Sequence, residues 1–139
     1  MRLAGTFAVV YRRGHEEKQP PAAMPKGTPV RKKTRSIDRA IRRMVERIVR
    51  EFEPERIILF GSHARGEGGP ESDVDLLVVM PVQGPKHRKQ AEIRVLLHDI
   101  RVPKDIIVTT PEEFAWRKDV AGTIEYPAVR EGRVLYARR

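Results

Sequence analysis

Ile37, Ile41, Met44, Val45, Ile48, Val49 and Phe52 recur at spacings of three and four residues in "SIDRAIRRMVERIVREFEP", which predicts an amphipathic helix with one apolar stripe. Ser36 suits its N-cap, and Pro54 ends it. Past Pro54 the period changes. "RIILF" predicts a strand at about 56–60, then a glycine turn with a short helix start over 61–66, a loop over 67–72 and a second strand at about 74–80. Pro81 to Pro85 form a turn, and "KHRKQAEIRVLLHDI" follows as a helix with Ile93, Leu96, Leu97 and Ile100 inward. "KDIIVTT" is a third strand. Thr110 caps, and Pro111 opens, the helix "PEEFAWRKDV". The tail "TIEYPAVREGRVLYARR" reads as a broken helical turn, a Glu-Gly turn and a terminal strand, "RVLYA". This mixture predicts a small α/β or α+β sheet with helices on one face.

Charge divides the chain. It has 28 Lys/Arg against 19 Asp/Glu, a net of +9 over 139 residues. Residues 1–35 hold nine Lys/Arg and two Glu, a net of +7, which leaves +2 for the rest. Residues 12–35 have too little apolar surface to fold alone. Residues 1–35 are expected to form a disordered basic extension, a solvated tail or a non-specific contact for nucleic acid. Met24 marks an alternative start for the chain, and an extra edge strand at residues 3–11 is the other reading. Residues 36–139 are the expected domain.

There is no cysteine, hence no disulfide framework or thiolate metal site. No apolar run approaches the roughly 20 residues of a bilayer span. "MRLAGTFAVVYRRG" lacks a signal peptide's cleavage pattern, so a cytoplasmic protein is expected.

The candidate chemistry lies in "GSHARGEGGPESDVDLLVV". Side chains alternate across a strand, so Asp73 and Asp75 share a face, where like charges repel unless a cation intervenes. Two carboxylates with no soft ligand nearby suit Mg²⁺, which takes further ligands from water and phosphate. Gly61 and Ser62 follow a strand and offer close backbone approach, a hydroxyl and exposed amides for a phosphate. Arg65 adds either a phosphate contact or a structural ion pair. Asp105 opens the third strand and can complete the cluster, holding metal or taking a proton from an attacking hydroxyl. His63 reads as a surface residue of the short helix, and Trp116 as core or interface.

Taken together, Gly-Ser, about ten residues and then Asp-x-Asp resemble the signature of the DNA polymerase β-like nucleotidyltransferase superfamily. The form "GSHARG…SDVDLLV" is similar to its minimal nucleotidyltransferase branch. "DIIVTTPEEF" resembles that branch's third-carboxylate strand, and "REGRVLYA" its C-terminus. The likeness covers about residues 36–139.

It implies a mixed sheet flanked by helices, two Mg²⁺ ions, and transfer of a nucleoside monophosphate from an NTP such as ATP to a hydroxyl, with loss of pyrophosphate. By position, Asp73, Asp75 and Asp105 would be the catalytic and metal-holding residues, and Gly61, Ser62 and Arg65 the nucleotide-binding ones. Only about 30 residues follow the third strand, so acceptor specificity is expected from a second subunit or a partner. In this branch the partner is commonly a HEPN-domain toxin, which the nucleotidyltransferase neutralises as antitoxin, here by adenylylating a tyrosine. The alternatives are an antitoxin that acts by binding alone and an adenylyltransferase of small molecules such as aminoglycosides.

Overall fold

The computed structural model describes the backbone of residues 29–139 and the side chains from Ser36 onward; the expected extension up to residue 28, including the possible strand at 3–11, lies outside the described residues. The first helix, α1, runs Pro29–Phe52, seven residues further toward the N-terminus than Ser36 would allow as a cap. Pro29 fits a first helical turn, where its missing N–H costs nothing, and the Arg- and Lys-rich run after it favours helix. Ser36 is therefore an interior, exposed residue. On the buried side of α1, Ile41, Met44, Val45, Ile48 and Val49 are at most 3 % exposed.

Strands β1 (Arg56–Phe60), β2 (Val74–Val79), β3 (Lys104–Thr109) and β4 (Arg133–Ala137) form one sheet in the order β3-β2-β1-β4. β1 runs antiparallel to both β2 and β4, whereas β2 and β3 are parallel. A parallel pair needs a crossover, and α2 (Lys86–Leu96) supplies it. Helices α3 (Pro111–Arg117) and α4 (Glu125–Glu131) lead into β4. As expected, the Thr110 side chain caps α3, accepting from the Glu113 amide at 3.2 Å.

Helices cover both faces of the sheet, not one. Ile57, Leu59, Leu76, Val78, Ile106 and Val108 pack with α1 and α2. Ile58, Leu77 and Val79 pack with Phe114 of α3 and Ala128 of α4. Consecutive buried residues in β1 and β2 are the mark of strands covered on each side. Trp116 is 57 % exposed and does not belong to the core.

Side-chain bonds fix α2 closely. Gln90 Oε1 accepts from the Val108 amide of edge strand β3 at 2.9 Å, and Arg47 of α1 donates to the Leu96 carbonyl at 3.2 Å and to the Asp99 carboxylate. Among the described residues no helix is long and apolar enough to cross a membrane.

On the other face, Glu125 is buried and ties α4 to the sheet. It accepts from Thr109 Oγ1 at 2.7 Å and from Arg117 Nε at 3.2 Å. Burial acts to raise its pKa, but the Thr109 bond, a backbone bond and Arg117 outweigh it and hold the carboxyl below its ordinary 4.5. A depressed folded pKa stabilises the fold above the unfolded value, and this is lost as pH falls through the folded one. Glu125→Gln is expected to cost about 1–2 kcal/mol at neutral pH. Urea unfolding across pH should show the gap to wild type closing once pH drops below 4.5; a pH-independent gap would contradict the ionic account.

Candidate active site

Strand register brings the predicted carboxylates to one end of the sheet. Asp75 is the second residue of β2 and Asp105 the second of β3, and the two are direct partners in the parallel ladder. Asp75 also pairs with Phe60, the last residue of β1, in the antiparallel ladder. Partners share a face, and Asp73 lies two residues before Asp75, so all three carboxylates belong to the side of the sheet carrying Leu77 and Ile107. Asp73 is exposed, and Asp75 and Asp105 are half-buried.

The geometry is strained electrostatically. Burial, then the charges of Asp105 and Asp73, push the Asp75 carboxyl above its ordinary value; His63 and Arg65 oppose the shift. Like-charge repulsion of this kind is what a hard divalent ion relieves. The donor set, three carboxylates with open access to water, suits such an ion. As the side chains stand, however, no three His, Cys, Asp or Glu among the described residues are gathered at ligand spacing. Asp105 Oδ1 instead accepts from Arg94 Nη2 at 3.2 Å.

Gly61 stands directly against the carboxylates. Its φ is +78°, a left-handed conformation that side chains resist, and a Cβ there would overlap the Asp75 carboxylate. The following residues form successive tight turns rather than a regular helix: Ala64 and Arg65 amides donate to the Gly61 carbonyl at 3.1 and 3.2 Å, and the Glu67 amide donates to the Ser62 carbonyl at 2.9 Å. Any attraction for phosphate at Gly61-Ser62 thus comes from locally oriented amides, not from a helix macrodipole.

Two further side chains of this segment have defined partners. His63 is half-buried rather than a free surface residue, and its Nε2 donates to the Ser72 carbonyl at 3.1 Å. Gly68 lies so close that a Cβ would overlap the His63 ring, while Ser72 Oγ accepts from the Gly69 amide at 3.0 Å. His63 therefore fastens the loop that joins the glycine turn to Asp73 and Asp75. Arg65 is exposed and paired with Glu67 at 3.1 Å and with Glu131 of α4 at 3.6 Å; its observed contacts are structural.

The arrangement sets a close-approach backbone turn against Asp75, with Asp105 beside it on the neighbouring strand and Asp73 two residues away. The nucleotidyltransferase domain family matches residues 41–129, well over half of the chain, and the chain belongs to that family. Among solved structures it is similar to a proposed nucleotidyltransferase from Sulfolobus solfataricus, at 27 % identity and a TM-score of 0.47, over 66 % of this chain and 82 % of that one. It is also similar to the toxin–antitoxin MntA–HpeT, at 15 % identity and a TM-score of 0.46, over 76 % and 74 % of the two chains. A third likeness is to a structure of a tri-AMPylated Shewanella oneidensis HEPN toxin with MNT antitoxin, at 15 % identity and a TM-score of 0.40, over 78 % and 72 %. No curated protein sequence matches the chain.

Gly61→Ala is expected to destabilise the fold by about 1–3 kcal/mol, through the φ penalty and the collision with Asp75. In an Asp75→Ala background the collision disappears, so the same substitution should cost measurably less. Denaturant midpoints for the four proteins check this; equal costs in both backgrounds would leave backbone strain as the only cause.

Proposed function

We propose that this nucleotidyltransferase moves AMP from ATP to a hydroxyl of a partner protein, a tyrosine of a HEPN-family toxin, and so acts as its antitoxin. The observation that carries the catalytic part is the Asp75–Asp105 pairing across parallel strands with Gly61 pressed against Asp75. The toxin partner rests on the minimal-nucleotidyltransferase character of "GSHARG…SDVDLLV".

In this reading Asp73, Asp75 and Asp105 hold magnesium, two ions by the family resemblance, which when bound neutralises charge on the triphosphate. Gly61 lets the triphosphate approach the backbone, Ser62 offers a hydroxyl to its terminal phosphates, and Arg65 would have to leave Glu67 and Glu131 to join them. Asp105 accepts the proton of the attacking hydroxyl. The hydroxyl oxygen bonds to the α-phosphorus, the bond from that phosphorus to the bridging oxygen breaks, and pyrophosphate leaves.

A protein acceptor is favoured by the exposed apolar side chains near the α3–α4 elbow, Trp116, Val120, Ile124 and Val129, each at least 42 % exposed. The same side chains would serve an antitoxin that works by binding alone. Asp73→Asn/Asp75→Asn separates the two. Intact mass of a co-expressed HEPN-family partner should show added AMP with wild type, and transfer should fall about a hundredfold or more with the double variant. An unmodified partner beside folded wild-type protein and ATP would sink the transfer, and full neutralisation by the double variant would establish binding as sufficient.

A further inference from the structure

Asp105 already has a cation. Arg94, in the last turn of α2, sets Nη2 3.2 Å from Asp105 Oδ1, with both side chains 47 % exposed. Among the described residues no ion pair engages Asp73 or Asp75, so the guanidinium serves one carboxylate of the three. Its route is unusual. Helix α2 packs on the sheet face of Ile106 and Val108, whereas alternation along β3 assigns Asp105 to the opposite face, yet Arg94 reaches it.

The base of that side chain is held firmly. Ile93 and Leu97 on either side of it are fully buried, Gln90 holds the Val108 amide, and Arg47 holds the Leu96 carbonyl. The guanidinium therefore extends from a helix whose backbone is well anchored. The contact itself is a single N–H···O bond rather than the bidentate fork that makes such pairs strong. Such a bond is weak enough to yield.

Given the proposed reading of the carboxylates as a metal site, on which this step rests, we propose that Arg94 is a positioning residue acting as an internal counter-cation. It occupies Asp105 Oδ1 in the free protein, and a divalent cation that takes that oxygen must displace it. Arg94 thereby holds the third carboxylate apart from Asp73 and Asp75 and sets a threshold for completing the cluster.

The size of the effect follows from exposure. A half-exposed ion pair contributes at most about 1 kcal/mol, which corresponds to about two- to fivefold in a dissociation constant. Mn²⁺ titrated calorimetrically into the full chain without nucleotide is the direct probe, with wild type, Arg94→Met, Asp105→Asn and the double variant compared. Arg94→Met should tighten Mn²⁺ binding about two- to fivefold, and in the Asp105→Asn background it should change nothing. Higher ionic strength should shrink the gain.

Unchanged or weaker binding by Arg94→Met overturns the proposal, as does an equal gain in the Asp105→Asn background, which would mark a diffuse field rather than competition for one oxygen. If neither wild type nor Arg94→Met binds Mn²⁺, the metal reading of the carboxylates falls and this inference with it. Arg94→Gln, shorter and uncharged but polar and a good helix former, repeats the comparison if Met disturbs α2.

Discussion

The parallel register of β2 and β3 is the constraint on which the rest of this molecule depends. It sets Asp75 beside Asp105, and alternation along β2 adds Asp73 to the same face. Two half-buried carboxylates on adjacent strands oppose folding, and the strands carry that burden because the residues just beyond are so well buried. Leu76, Leu77, Val78 and Ile106 are inaccessible to solvent, and each contributes roughly 1.5–3 kcal/mol of burial. Parallel pairing also requires the crossover α2, and that crossover brings Arg94 to the edge of β3. The carboxylates, their repulsion and the neighbouring cation are consequences of one topological choice.

Much of the fold was legible because its signals are local. The α1 stripe, the strand bounds, and the Thr110 cap with Pro111 after it depend on near neighbours and agree with the structure. Ser36 misled because a hydroxyl before an apolar run looks like a cap, while the basic residues upstream are themselves good helix formers. The two-sided covering of the sheet was harder to see. Helices α3 and α4 have seven residues each, and their main contributions to the second core are Phe114 and Ala128, too little to form a readable stripe. The better clue was in β1, where Ile57, Ile58 and Leu59 form an unbroken apolar run instead of an alternating one.

The carboxylate end was legible for a different reason. Gly61, Asp73, Asp75 and Asp105 are each tied to a strand end, so spacing predicts their convergence once the strands are known. Arg94 and His63 could not be found that way. Arg94 meets Asp105 from a helix packed on the other face of the sheet, and His63 depends on how an irregular glycine-rich loop closes over its ring. Neither contact leaves a periodic trace. Arg65 shows the reverse: its position invites a phosphate contact, but Glu67 and Glu131 satisfy it.

Gln90 has a role beyond fixing α2. A sheet's outer strand presents unpaired amides that another chain's strand can adopt, a common route to association. On β3 the Val108 amide is already bonded to the Gln90 side chain, so an incoming strand must first displace it. At the other edge, β4 begins at Arg133 and is followed by Arg138, which pairs with Glu53 at 3.6 Å, and by Arg139. The Gln90 bond thus sets a local obstacle to sheet extension at β3.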